Sequence, residues 1–243
     1  MTKRYGLVGA LLCALLVTAG CETLKVVEEV SSLLLGANGE QGLTMDTIVK
    51  GLKEALVVGT QNTVASTSKK GGYADNALIR IALPPKLQKF GNALRKVGLG
   101  AQVDQFEQKM NVAAEDAARA AAPVFVSAVR QMSFADAKGV LYGGETAATD
   151  YFREQTSSTL RAKYSGIVSK HMNSLGVVRK YSDLSARYNM IPLVPKLTFD
   201  PEEYVTDQAL DGLFTVLATE EQKIRENPAA RTTALLRKVF GAR

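Results

Sequence analysis

Apolar residues recur along this chain at spacings of three and four, the mark of helices that bury one face. Leu24, Val27, Val30, Leu33 and Leu34 predict an amphipathic helix over 23–35, stopped by Gly36-Ala37-Asn38-Gly39. Thr44 can cap a second helix running to about Ser68, with Ile48, Leu52, Leu56 and Val57 on its apolar side, before Lys69-Lys70-Gly71-Gly72 breaks the pattern. Ile81-Ala82-Leu83-Pro84-Pro85 reads as a stiff extended connector, because each proline lacks an N–H and restricts the residue before it. Helices follow from about Pro85 to Val97 and from about Ala101 onward, separated by Gly98 and Gly100. The second carries Val103, Phe106 and Met110, then Ala117, Ala118, Ala120, Ala121 and Ala122, small side chains that let another helix approach closely. Pro123 should kink or restart it.

Capping signals divide the remainder. Ser133-Phe134-Ala135-Asp136 fits a capping box for a short helix that ends at Gly143-Gly144. A long helix is expected from about Thr146 to Leu175, closed by Gly176. Asp200-Pro201-Glu202-Glu203 places a cap, a first-turn proline and an early acid in the order a helix start prefers, and Asn227-Pro228 repeats the device for the last helix. In that helix Leu235, Leu236, Val239 and Phe240 share one side, Arg237 and Lys238 lie away from it, and Arg231 flanks it. No segment alternates as a strand does. The fold class read from the pattern is all-α: a single domain of about eight or nine helices over 44–243, preceded by a short helix and linker in 21–43. Ile81-x-Leu83-x-Pro85-Lys86-Leu87 is echoed by Ile191-x-Leu193-x-Pro195-Lys196-Leu197, which suggests a decayed duplication with pseudo-twofold halves.

Composition narrows the chemistry. With 46% hydrophobic and 22% charged residues among 243, the chain is globular rather than disordered, collagen-like or multiply membrane-spanning. It has no tryptophan, one histidine and two cysteines, too few for zinc clusters, disulfide frameworks or most histidine-based catalytic sets. No metal or cofactor is expected.

The first twenty-one residues carry the clearest functional signal. Lys3 and Arg4 precede an uncharged apolar stretch from Leu7 to Thr18, and Ala19-Gly20-Cys21 follows. This is the layout of a secretory signal peptide over 1–20, too short to span a bilayer comfortably. The small-small-Cys ending resembles the bacterial lipobox, with cleavage between Gly20 and Cys21 and acylation of the Cys21 thiol; Thr18 stands where that motif prefers leucine. Cys13 would leave with the signal, so Cys21 would be the sole cysteine of the mature chain, and lipidation gives it a role. Several fatty chains on one residue hold a protein stably on its membrane. Glu22 follows the cysteine rather than the aspartate that retains lipoproteins at the inner membrane in enterobacteria-like sorting, which points by resemblance to the periplasmic leaflet of the outer membrane.

The charge of +6 is unevenly placed: residues 223–243 hold six basic side chains against Glu226 alone. Arg231, Arg237, Lys238 and Arg243 form a candidate interaction surface for an envelope protein or for anionic lipid, although cations are also simply favoured near a helix C-terminus. Nucleic acid is not an expected partner of an exported chain without aromatic-basic interleaving.

Other candidates have plain structural readings. His171 falls on the apolar side shared by Leu160, Tyr164, Ile167, Val168 and Leu175, which predicts a neutral core histidine. Gly143-Gly144-Glu145-Thr146 opens a helix and invites an anion, yet it lacks the lysine and glycine spacing of a phosphate loop. Asp150 and Arg153 can pair one turn apart, whereas Glu145 and Asp150 fall on different helical faces, against a paired-carboxylate glycosidase. Gly212 in mid-helix calls for a close helix crossing, and Asp211 is expected to form a buried pair with an arginine such as Arg231.

Arg80-Ile-Ala-Leu-Pro-Pro-Lys-Leu87, Gly143-Gly-Glu-Thr-Ala-Ala-Thr-Asp-Tyr-Phe152, Ala209-Leu-Asp-Gly-Leu-Phe214 and Asn227-Pro-Ala-Ala-Arg-Thr-Thr-Ala-Leu-Leu236 together resemble the bacterial domain-of-unknown-function family 4197, over roughly Leu43 to Gly241. The resemblance implies a helical fold in an exported or lipid-anchored protein of Gram-negative bacteria, and it brings no catalytic residue. The expected function is a lipid-anchored, non-enzymatic interaction module. The alternatives are a carrier enclosing an apolar ligand and, third, a hydrolase using carboxylates alone.

Overall fold

The computed structural model describes residues 45–96, 98, 100–174, 181–182 and 199–226. The chain divides into two units, Met1–Thr44 and Met45–Arg243, and everything described lies in the second. Seven helices occur among the described residues: α1 Met45–Ser68, α2 Pro85–Lys96, α3 Gly100–Ala118, α4 Ala121–Gln131, α5 Phe134–Tyr142, α6 Ala147–Ser174 and α7 Pro201–Glu226. No strand occurs among those residues, so the all-α class holds. The helices expected at 23–35 and from Asn227 onward, and the Ile191–Leu197 echo, fall outside the described residues.

The helix boundaries follow their capping chemistry. Ser133 Oγ accepts from the Asp136 N–H at 3.1 Å while Asp136 Oδ2 accepts from the Ser133 N–H at 2.9 Å, completing the capping box of α5. The Ser133 hydroxyl, which donates to Asp136 Oδ2 at 2.7 Å, and then the Ser133 N–H hold the exposed Asp136 carboxyl below its ordinary pKa. Asp200 Oδ1 accepts from the Glu202 and Glu203 amides at 2.8 and 3.1 Å and starts α7. Near Pro123 the chain restarts rather than kinks: α3 ends at Ala118, a turn closes from Ala120 N–H to Ala117 O at 2.9 Å, and Pro123 occupies the first turn of α4.

α6 and α7 pack antiparallel along much of their length and, with α1 and α3, enclose the core. Phe125 of α4, Phe152 of α6 and Phe214 of α7 meet edge-to-face at its centre, with ring centroids 5.0 and 6.2 Å apart. The alanines of α3 do what small residues permit: Ala113, Ala114, Ala117 and Ala118 are fully buried, together with Ala121, so neighbouring backbones approach closely.

Gly212 sits at the closest crossing. A Cβ there would lie 2.7 Å from Tyr73 Cε1 and 3.1 Å from Ile79 Cβ. Tyr73 cannot retreat easily, since it is fully buried and its hydroxyl donates to Ala209 O at 2.6 Å. Gly212→Ala is therefore expected to destabilise the protein by about 1–3 kcal/mol in urea denaturation, although alanine favours a helix by about 1 kcal/mol. A stability equal to or above that of the wild type would show that the crossing has room.

Candidate functional site

Buried polar groups converge at two places. The first is a stripe on α3 formed by Glu107, Asn111 and Glu115, spaced four apart beside the alanine face. Residues 69–84 join α1 to α2 without regular structure and lie along this stripe. Glu115 Oε1 accepts from the Tyr73 and Ala74 amides at 3.2 and 3.3 Å. Asn111 accepts from the Ile81 N–H at 2.9 Å and donates to Ile81 O at 2.8 Å, pairing with one residue as a strand neighbour would. Glu107 accepts from the Leu83 amide at 3.2 Å and faces Arg80 at 3.5 Å. On the other side Tyr204 donates to Ala82 O at 2.9 Å. The sequence reading missed all three stripe residues; their signal is a polar row at i, i+4, i+8 beside a buried alanine row.

The second place is the junction between α5 and α6. Glu221, on α7, accepts from the Ala148 and Thr149 amides at 2.9 and 2.8 Å and from the Thr149 hydroxyl at 2.8 Å. Arg225, one turn later, donates to Glu221 from Nε and NH2 at 2.9 and 2.7 Å and to Val140 O, near the end of α5, at 2.9 Å. A carboxylate thus meets the positive end of α6 and a guanidinium the negative end of α5. The anion that Gly143-Gly144-Glu145-Thr146 invited is the protein's own Glu221.

Other residues singled out from sequence lie elsewhere. His171 is not in the core: its side chain is 32% exposed, and Nε2 stands 2.7 Å from Asp116 Oδ2. The stripe carrying Leu160, Tyr164 and Val168 is buried, but at His171 it has reached the last turn of α3, where Asp116 marks the rim. Asp116 also pairs with Arg119 at 2.6 Å, and Arg119 donates to Ser68 O at 3.2 Å, so the group ties the ends of α1, α3 and α6 together. Asp211 is exposed rather than buried, because it points away from the crossing made by its neighbour Gly212; it faces Arg153 at 3.4 Å. Arg153 stacks over Phe214 at 4.6 Å instead of pairing with Asp150, which accepts from the Thr146 hydroxyl at 3.0 Å. Gly20, Cys21, Arg231, Arg237, Lys238 and Arg243 fall outside the described residues.

Two open polar grooves flank α6. One of about 450 Å³ is lined by Ser127, Gln131, Asp136, Tyr151, Gln155 and Lys163. The other, about 380 Å³ between α6 and α7, includes Glu145, Asp150, Arg153 and Gln222. Glu145 precedes the first residue of α6, so the helical-wheel separation does not apply and the two carboxylates share this groove. Both are exposed to water, without the desolvation that makes a carboxyl an effective general acid. An apolar cavity lined by Leu52, Leu56, Phe152 and Leu217 holds only about 30 Å³, room for about one water. Among the described residues no helix is long and apolar enough to cross a membrane, and no group of three or more His, Cys, Asp or Glu side chains is placed to hold a metal.

Residues 42–241 match the family described as protein of unknown function (DUF4197). The chain belongs to this family. No curated protein and no solved structure matches it. In this DUF4197 domain the buried polar side chains of both places are bound to the domain's own backbone.

Burial raises the Tyr73 phenol well above its ordinary pKa, and the Glu115 carboxylate beside it adds to the effect; burial, then Tyr73, raises Tyr164 likewise. The Tyr164 hydroxyl has no hydrogen-bond partner among the described residues. Folded-state values above the unfolded one mean that the stabilisation is complete below about pH 10 and is lost as pH rises above it, because only the unfolded chain ionises there. Urea denaturation across pH 8 to 11, on the order of the phenol range, is expected to show stability falling at the alkaline end, with a shallower fall in Tyr73→Phe. Equal slopes in the two proteins would contradict this.

Proposed function

We propose that this protein is an exported lipoprotein, held by acyl chains on Cys21 at the periplasmic leaflet of the outer membrane, whose helical domain is a non-enzymatic docking module. The observation that carries the reading is Ala19-Gly20-Cys21 after an uncharged apolar stretch, with Cys21 the sole cysteine beyond residue 20. Two features support the module over a catalyst. The buried carboxylates Glu115 and Glu221 are committed to the domain's own amides, and the acids lining the grooves are exposed and solvated. The basic residues Arg231, Arg237, Lys238 and Arg243 supply charge for an envelope protein partner. Among the described residues the apolar cavity of about 30 Å³ is too small for a lipid chain, so it lends the carrier reading no support.

The anchor is tested by feeding radiolabelled palmitate to Gram-negative cells expressing the full chain or its Cys21→Ser variant, followed by membrane fractionation. Label and outer-membrane location in the wild type, both lost in the variant, are the expected result. Unlabelled wild-type protein, or a variant that fractionates unchanged, would refute it.

A further inference from the structure

The described domain carries an uninterrupted basic stretch around α2. No aspartate or glutamate occurs from Asn76 to Val103, while Arg80, Lys86, Lys89, Arg95 and Lys96 all do. Leu87 and Gly91 of α2 are buried; Lys86, Gln88, Lys89, Asn92, Arg95 and Lys96 are exposed. At 100° per residue Lys89, Asn92 and Lys96 fall close together on the outer side and Lys86 flanks them. α2 packs chiefly on α3, with Gly91 against Leu83 and Val103, so its outer side projects from the edge of the bundle. Arg95 is met by Asp104 at 2.5 Å and Arg80 by Glu107 at 3.5 Å. Among the described residues, no carboxylate lies within ion-pair distance of Lys86, Lys89 or Lys96.

We propose that α2 is the face the domain lays against an anionic phospholipid surface, with Lys86, Lys89 and Lys96 among the headgroup phosphates. This rests on the anchored reading above for its supply of membrane. The chain between Cys21 and Met45 cannot extend beyond about 80 Å, so an acylated protein stays near lipid. Orientation needs charge in contact, because a field at physiological salt decays over about 8 Å. Three lysines spread along a helix side, with no pocket between them, suit a lattice of phosphates better than one defined ligand. Each ammonium is a mobile point charge that asks no fixed hydrogen-bond geometry, unlike an arginine fork. Their combined attraction to an anionic leaflet favours the docked over the undocked domain by on the order of a hundredfold.

The test uses the full-length acylated protein carrying Asn92→Cys, labelled there with a fluorescent dye and reconstituted in vesicles containing nitroxide-labelled lipid. Quenching of the dye is compared between phosphatidylcholine vesicles and vesicles mixed with phosphatidylglycerol, and again after Lys86→Glu, Lys89→Glu and Lys96→Glu are combined. The expected result is quenching on the anionic vesicles alone, removed by added salt and by the triple reversal, with helical circular dichroism unchanged. Equal quenching on neutral vesicles, none on anionic ones, or quenching that survives the reversal would overturn the proposal; absence on anionic vesicles would leave an acidic protein as the occupant. More than one dye per chain would reveal a free Cys21 and so a failed anchor. The same comparison on Cys21→Ser then decides the lipid-facing role independently.

Discussion

The segment 69–84 is irregular in backbone yet buried at Tyr73, Ile79 and Ile81, and its amides would be costly to leave without partners. The polar stripe of α3 resolves that conflict. Asn111 gives Ile81 both an acceptor and a donor, Glu115 receives two consecutive amides, and Glu107 receives the Leu83 amide. Much else depends on this arrangement. It fixes Tyr73, whose hydroxyl reaches Ala209 and whose ring requires a glycine at 212, so it sets the distance between α7 and the segment beside α3. It also delivers the chain to Pro85 where α2 can lie along α3.

The Glu221–Arg225 pair works by the same physics at the opposite kind of feature, the bare ends of two helices. An ion pair this buried adds little stability when compared with well-packed apolar residues, and its value lies in fixing which helix end goes where. Together the two constellations absorb chemistry that could otherwise be taken for an active site. What remains for function is on the surface: exposed charge, two polar grooves and, on our reading, a lipid on Cys21.

Much of the fold was legible because helix punctuation is local. The boundaries of α1, α2, α5, α6 and α7 follow from the glycines around 71, Pro84-Pro85, Ser133, Gly143, Asp200 and Pro201, all of which act within a few residues of themselves. The Gly212 crossing was legible too, since glycine in mid-helix has few other reasons. The partners of buried polar residues were not. Glu115 and Glu221 serve amides 42 and 73 residues distant, and one sequence carries no signal for which distant backbone needs an acceptor. His171 and Asp211 were misjudged for a related reason. A helical wheel gives the side of a helix but not where the neighbouring helix ends, so it cannot distinguish core from rim.

Asn111 holds the Tyr73–Leu83 segment by pairing with Ile81, where no regular structure does so. Amide hydrogen exchange, read residue by residue by NMR, tests it most directly. In the wild type the Ile81 amide should exchange as slowly as the buried amides of α3. In Asn111→Leu it should exchange about ten- to a hundredfold faster while α6 and the first half of α7 keep their protection. An Ile81 amide that exchanges like an exposed loop in the wild type, or that stays equally slow in the variant, would contradict the account.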